Sequence, residues 1–533
     1  MSTQTEATAD GRESYIATRV LDALLREDYG GLAQRITRGR DGVALELPGG
    51  RRVRLVTGSL YQDFMVAPDQ QLRLAEVMDA LDAVADPADA AGVRALAEEC
   101  RAAVRAHELL DARREEVLSR LGDGSIRYET LAAFADHPVY PTSRARYGLT
   151  EDDLLAYAPE FAPSFELRWA AVPRSRARDF PRAPSFAAVG LPDLSASHAL
   201  LPVHPLTIDA VRRVPDVLVG PVPHLRVRPT LSMRTVELDP RTHLKLPLAT
   251  STLGLLNRRS IKPGTLEDGA RAELLLRDIL AREPDFGDRV LLADEQLYHH
   301  TGHDHLAWMI RRLPSGTIVP VAALAAPTPG GRTVAEEICG GDLAGFLARY
   351  LDLLLRWNVR LFVRYGVALE AHQQNLSLVL GSPGEAARPR LLIKDNDGLL
   401  ASPARLRAAG ITVPRFADER MLTDDPHALA DVFVTITLHL AAAAVVFGVL
   451  PPGQARRLLT DALAAALDEH GGDPMGRLLR ARTLDAARLV GKSMVTAGTL
   501  VAKARTGARD INKFYGTSGP NYLRRTPGAA DPR

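Results

Sequence analysis

Glu370-Ala-His-Gln-Gln-Asn375 puts a carboxylate, an imidazole and an amide in front of an apolar run, 376–380. Lys394-Asp-Asn-Asp-Gly398 puts a cation and two carboxylates behind a second run, 390–393. The polar stretch 381–386 between them, with its glycines and proline, predicts an antiparallel hairpin. That pairing sets the start of the first strand beside the end of the second, so Asn375 and Asp395 become neighbours. An amide oxygen and a carboxylate fixed on strand ends suit Mg²⁺, which takes a few protein oxygens and fills its remaining positions with phosphates and water. The spacing alone also admits an ordinary hairpin with solvated polar ends.

Anion-binding side chains recur upstream. In His137-Pro-Val-Tyr-Pro-Thr-Ser-Arg-Ala-Arg-Tyr-Gly148 two prolines stiffen a turn, which would aim Arg144 and Arg146 at one anion, or leave a basic surface loop. Pro202-Val-His-Pro205 repeats the His-Pro pair; His204 reads as structural, with a composite pocket of the two corners as the alternative. Residues 230–236 alternate like a strand, placing Ser232 and Arg234 on one face, a hydroxyl and a guanidinium suited to phosphate. Lys245 alternates with Leu244 and Leu246 and adds a point charge. Arg258, Arg259 and Lys262 cluster near a turn, and spacing does not choose among them. His299, His300, His303 and His305 lack the spacing of a helical zinc motif and read as a polar loop or channel wall. No glycine-rich nucleotide fingerprint stands between a strand and a helix.

The elements that must carry these residues follow from apolar periodicity. Residues 15–120 are mostly helical, with a hairpin around Pro48-Gly-Gly50. Strands and loops dominate 131–335, including a strand at 164–172 and a helix at 269–282. Beyond 335, helices are predicted at 343–365, 425–449, 455–469 and 485–504. The apolar stretch 438–450 reads as a buried helix too short and interrupted to cross a bilayer. Hydrophobic residues make up 46% and charged residues 25%, a globular composition, and 66 basic against 65 acidic side chains exclude bulk attraction to nucleic acid or membrane. At 533 residues the chain calls for several domains. The two cysteines form no disulfide framework, and no apolar leader opens the chain, so a cytoplasmic location is expected.

Taken in order, His137-Pro-Val-Tyr-Pro141 with Arg144, Arg146 and Gly148, then Tyr157-Ala-Pro-Glu-Phe161, Pro202-Val-His-Pro205, Ser232-Met-Arg-Thr235, His243-Leu-Lys245, Glu370-Ala-His-Gln-Gln-Asn375 and Lys394-Asp-Asn-Asp-Gly398 resemble the IucA/IucC family of siderophore synthetases. Tyr140 stands where the family commonly has a second histidine, Arg144 where it has lysine, and Lys394 where it has arginine; its Thr-Ser-x-x-Arg element is only loosely matched by 250–264. The resemblance implies an α+β fold shaped as a cupped hand: a helical thumb (1–130), strand-rich fingers (131–335) and a kinase-like palm (336–533). It implies ATP and Mg²⁺, adenylation of a citrate-like acid, attack by an amine, release of AMP and pyrophosphate, and a cytoplasmic homodimer that binds no nucleic acid or membrane. Ser232, Arg234, Thr235, Lys245, His372, Gln374 and Lys394 would bind ATP. Glu370, Asn375 and Asp395 would hold the metal, and His137, Arg144, Arg259 and His372 would serve the chemistry. A kinase-like phosphotransferase, by analogy with the Asn and Asp metal ligands of protein kinases, and a non-catalytic nucleotide- or carboxylate-binding protein are the rival expectations.

Overall fold

Helix-period apolar residues in the first part of the chain build helices Ala9–Arg26, Leu74–Val84 and Ala90–Ser119 in the computed structural model, which describes residues 9–381, 388–507 and 513–524. Between the first two helices, Gly42–Glu46 pairs with Arg52–Thr57 around the expected Pro48-Gly-Gly50 turn, where Gly49 and Gly50 adopt φ of 93° and 89°. Ile36–Gly39 and Phe64–Val66 flank this hairpin to complete a four-stranded antiparallel sheet. Leu45, Val53 and Leu55 turn inward against Leu21, Leu24, Val77 and Leu96, and Val495 and Leu500 from the far end of the chain close the same core.

The second layer is an eight-stranded antiparallel sheet drawn from residues 165–312. Alternation on Thr242–Lys245 sends Leu244 into its core with Trp308 and Ile310, while His243 and Lys245 take the opposite face. The third layer is a four-stranded sheet in the order Val290–Leu292, Arg390–Ile393, Leu376–Leu380, Thr317–Pro320. Its hairpin has the strands read from the sequence; most of the connecting turn, 382–387, lies outside the described residues. Strands from both sides of position 335 build this one sheet. Leu276, Leu354, Leu378 and Leu438 join it to helices Thr265–Ala281, Leu343–Arg360 and Pro426–Val449 in the largest core.

Three expectations are corrected. Residues 230–234 are not strand but the tip of a hairpin between His224–Pro229 and Thr235–Asp239. Thr230 N donates to Thr235 O (2.9 Å) and Met233 N to Thr230 O (2.8 Å), with Met233 at φ 61°. A short alternating run does not distinguish a strand from a tight reversal. In place of a helix at 485–504 there is a strand, Arg488–Gly491, then a wide turn, Thr496–Leu500, and a single helical turn. The strand's partner, Thr517–Pro520, comes from the tail, so pairing over distance overrides local helix preference. Finally, the apolar stretch at 438–450 belongs to a 24-residue helix, Pro426–Val449, which is long and apolar enough to cross a membrane. The helix expected over 425–449 is thus found, and only the length of its apolar part is greater than the 438–450 stretch suggests. Within the fold, 78% of the helix's most apolar window is buried.

Helix Ala90–Ser119 approaches the Thr496–Leu500 turn so closely that a Cβ on Gly92 would lie 1.9 Å from Leu500 O. Ala normally gains about 1 kcal/mol over Gly inside a helix. Here the clash with a backbone carbonyl reverses the sign. Gly92→Ala is expected to lower stability by about 1–3 kcal/mol in a chemical denaturation series, whereas Gly122→Ala, whose Cβ meets nothing within 4 Å, should be close to neutral. Equal midpoints for the two variants would contradict this packing.

Candidate active site

Register places the central residues. Leu376 pairs with Ile393, and Lys394 N donates to Asn375 O (3.1 Å), so Asn375 and Asp395 flank the same end of the hairpin. Asp395 leaves the strand at φ 62°, its N–H held by Glu295 Oε1 (2.9 Å). The Asn375 amide donates to Glu370 O (3.1 Å), which turns its oxygen the other way. Gly398 passes beneath Glu370, where a Cβ would meet the carboxyl carbon at 2.3 Å. Lys513 pairs with Glu370 (3.4 Å) and donates to Gly398 O (2.9 Å).

Buried Lys245 reaches across from the large sheet to pair with both Asp395 and Asp397, the latter at 3.2 Å. Arg311, held by Glu295 at 2.5 Å, lies 3.9 Å from Asp395. Burial works against the Asp395 charge, but Lys245, Arg311 and Arg234 overcome it and hold this carboxyl well below the usual carboxylate range. Burial dominates at Glu295 and pushes its carboxyl up despite Arg311.

These groups open onto a cleft of ≈430 Å³ that gathers three distant stretches of chain. Ser232 and Arg234 line it from the hairpin tip, with Arg259 beside them; Glu370, His372, Gln374, Asn375 and Asp395 line it from the small sheet; His137 and Arg144 line it from the first loop. Arg234 donates to the carbonyls of Arg259 (3.4 Å) and Ser260 (3.3 Å). Burial and the Arg234 charge push Arg259 down to about 9, so an anion entering here relieves the repulsion of two crowded guanidiniums.

The histidines are set as neutral donors. His137 Nδ1 accepts from Val139 N (3.1 Å) and Tyr140 N (2.9 Å), and His372 Nδ1 accepts from Gln374 N (3.3 Å). The proton therefore sits on Nε2 of each ring. Burial, with His372 and Arg19, pushes His137 down to about 3; burial, with Lys492, pushes His372 down to about 4.

Other expected residues sit behind the cleft or are committed to partners within its wall. Thr235 donates its N–H to Ser232 Oγ (3.1 Å), positioning that hydroxyl. Lys394 is buried and faces Glu129 at 3.7 Å. The Arg144 guanidinium is taken up by Asp136 (2.9 Å) and the carbonyls of Ala133 (2.8 Å) and Phe134 (2.7 Å), so it shapes the loop. Arg146 is likewise committed to Glu160, at 2.6 and 2.9 Å. His204 lies apart from His137, buried between the rings of Tyr157 and Phe165, so the two His-Pro corners make no common pocket. Tyr140 is fully buried and bonds Thr499 (3.1 Å), a structural tie. The sequence reading missed Lys492, which lines the cleft and lowers both His137 and His372. Assigning 485–504 to a helix hid it; Gly491 before it was the available signal.

Glu370, Asn375 and Asp395 are oxygen donors of the kind Mg²⁺ takes. Among the described residues no group of three His, Cys, Asp or Glu is arranged to hold a metal. Glu370, Asn375 and Asp395 line the same cleft, so a cation held there would take the rest of its shell from a phosphate-bearing ligand and water.

A cleft walled by guanidiniums on one side and by an Asn/Asp hairpin on the other thus lies at the meeting of two sheets. Residues 125–326 match the IucA / IucC family, and residues 345–502 match the family described as Ferric iron reductase FhuF-like transporter. The IucA / IucC match covers the segment that carries His137, Arg144, Ser232, Arg234 and Arg259 of the cleft. It is 30% identical over 324 residues to protein y4xN of Sinorhizobium fredii (51% of each chain), and 25% identical over 337 residues to the staphyloferrin B synthase of Staphylococcus aureus (54% of this chain, 56% of that one). The chain thus spans about half the length of the curated relatives it matches. Its fold is that of the petrobactin biosynthesis protein AsbB from Bacillus anthracis (TM-score 0.76, 14% identity, 98% of both chains). It is also that of the ATP-bound aerobactin synthetase IucA from Klebsiella pneumoniae (TM-score 0.70, 18% identity, 96% and 99%).

Because burial depresses these histidines in the fold relative to their ordinary value near 6.5, only the unfolded chain takes up their protons as pH falls below about 6.5. Their contribution to stability is intact above that value and is lost on acidification toward about 4 and then 3, with a slope approaching about 1.4 kcal/mol per pH unit per histidine. NMR titration of ring resonances should find His137 and His372 neutral at pH 6. In Lys492→Met both should titrate higher, while His204, held down to about 3 by burial alone, should not move. Unchanged His137 and His372 in that variant would remove Lys492 from their electrostatics.

Proposed function

We propose that the protein is an ATP-dependent ligase of siderophore assembly, which adenylates a citrate-like carboxylic acid and joins it to an amine as an amide. The observation that carries this reading is the assembly of Ser232, Arg234, Arg259, His372, Asn375 and Asp395 around one cleft, with His137 on its far wall. The family, the names of its relatives and the ATP-bound state of the IucA neighbour support it.

In this reading the triphosphate lies on Ser232, Arg234 and Arg259, with Gln374 and the Nε2–H of His372 beside it. Asn375 and Asp395, with Glu370 near, would hold Mg²⁺, which would supply charge neutralisation to the phosphates. Lys245 keeps Asp395 ionised and placed, a supporting role in place of direct phosphate contact; Thr235 and Lys394 act likewise from behind the wall. A substrate carboxylate oxygen attacks the α-phosphorus as the bond to pyrophosphate breaks. His137, as a neutral donor on a loop shaped by Arg144, orients the acid without competing for a proton. The amine nitrogen then attacks the acyl carbon, AMP leaves, and the nitrogen loses a proton to solvent. Positioning and fixed charge are what transfer at phosphorus requires.

With a polycarboxylic acid, Mg²⁺ and ATP, pyrophosphate release is the expected outcome, and amide should form when an amine is added. ADP and orthophosphate would instead indicate acyl-phosphate chemistry and defeat the adenylation step, and ADP with a phosphorylated acceptor would support the phosphotransferase that the Asn375/Asp395 pair alone suggests. Asp395→Asn should slow acid activation at least about a hundredfold, since metal bridging supplies several kcal/mol of transition-state stabilisation. Its fold should survive, with an unchanged helical spectrum. Near-normal turnover by the folded variant would take Asp395 out of the metal site. The proposed protein is a cytoplasmic homodimer, and sedimentation at micromolar concentration should return about twice the mass of one 57.8 kDa chain; a monomer throughout would reject the dimer.

A further inference from the structure

Away from the cleft, a chamber of ≈830 Å³ lies between the four-stranded sheet of residues 36–66, the end of helix Ala9–Arg26 and strand Arg488–Gly491. Arg26, Arg38 and Arg488 line it, with a single carboxylate, Asp63. Arg488 and Asp63 neutralise each other through two bonds of 2.8 and 2.6 Å. Arg38 forms no ion pair among the described residues and stands over the Phe64 ring at 5.4 Å. The Arg26 side chain is only 5% exposed; its Nη2 donates to Val139 O (3.1 Å) and lies 3.5 Å from Glu27, while its Nε is buried without an acceptor. The guanidinium therefore keeps donor capacity that its present partners do not use. The rest of the wall is apolar, from Leu25, Ile36, Val43 and the rings of Tyr61 and Phe64.

We propose that this chamber is a binding site for a small organic carboxylate with an apolar or aromatic body. The carboxylate is drawn to Arg26 and Arg38, whose planar guanidiniums match its two oxygens, and the body packs against Phe64 and its apolar neighbours. A monoanion suits the site better than phosphate, because Asp63 already places negative charge on the wall and Glu27 stands close to Arg26. A small void lies between the chamber and the cleft. Arg26 and Tyr61 line a void of ≈20 Å³, room for about one water, whose remaining wall includes Leu440, Lys492 and Met494 of the cleft. Arg26 holds Val139 O, and Val139 N–H holds His137 Nδ1. A ligand that draws Arg26 outward therefore acts on the loop that presents His137. The site stands independently of the ligase reading.

Benzoate is a suitable probe, titrated into the full chain by calorimetry and saturation-transfer NMR. One site is expected, persisting in the presence of saturating ATP and in Asp395→Asn, and losing about fivefold or more in affinity in Arg38→Gln, an exposed position whose substitution leaves the fold intact. Benzyl alcohol, lacking the charge, and inorganic phosphate, lacking the body, should compete poorly. The proposal is overturned if Arg38→Gln binds benzoate normally, if ATP displaces it, if phosphate competes as well as benzoate, or if no binding occurs at millimolar benzoate.

Discussion

The clamp of Lys245 on Asp395 and Asp397 is the interaction on which the architecture of the site depends. The lysine belongs to the large sheet and the carboxylates to the loop after the small sheet's hairpin, so one ammonium fixes the spacing of two layers that no strand pairing joins. Burying such charges is tolerated only when each is paired, and removing one partner strands the others in a poorly solvating interior. Arg311 and Glu295 extend the same network, and Glu295 also holds the Asp395 amide in its left-handed turn. The carboxylate at the cleft floor is therefore aimed by side chains from three strands of the large sheet before any ligand arrives.

The opposite wall works through neutrality. Two imidazoles have their inner nitrogens occupied by backbone N–H groups and present fixed outer donors to an otherwise cationic space. A protonated ring would add repulsion beside Arg259 and Lys492; a neutral donor adds direction without charge. The cleft thereby divides into a guanidinium wall, a carboxylate floor and an imidazole side.

Much of this was legible in the sequence because it rests on local pattern. The hairpin at 376–393 needs only two apolar runs and a turn, and its register then forces Asn375 and Asp395 together. The alternation around Lys245 likewise assigned its face correctly, since Leu244 and Leu246 had to reach the core. What local pattern does not contain is the partner. Arg144 and Lys245 read as free cations, yet Asp136 and Asp395 claim them through the fold. Lys492 was hidden because its strand is made by pairing with residues 517–520, a contact invisible to any window along the chain. The 230–234 reversal was missed because Met233 adopts a left-handed conformation that its residue type gives no reason to expect.

The closing of the first core by Val495 and Leu500 carries a consequence for biogenesis. A ribosome delivers helix Ala90–Ser119 long before the turn Thr496–Leu500 that covers Gly92 and, through Thr499, bonds buried Glu99 (3.0 Å). Until then, the nascent amino-terminal part carries an uncovered apolar face and a carboxylate short of one partner. Nascent segments generally fold as they emerge, but this one must wait until residues 495–500 have been translated. A chain cut short before residue 495 would leave that face bare and open to chaperones and proteases, so this turn seals a core begun 400 residues earlier.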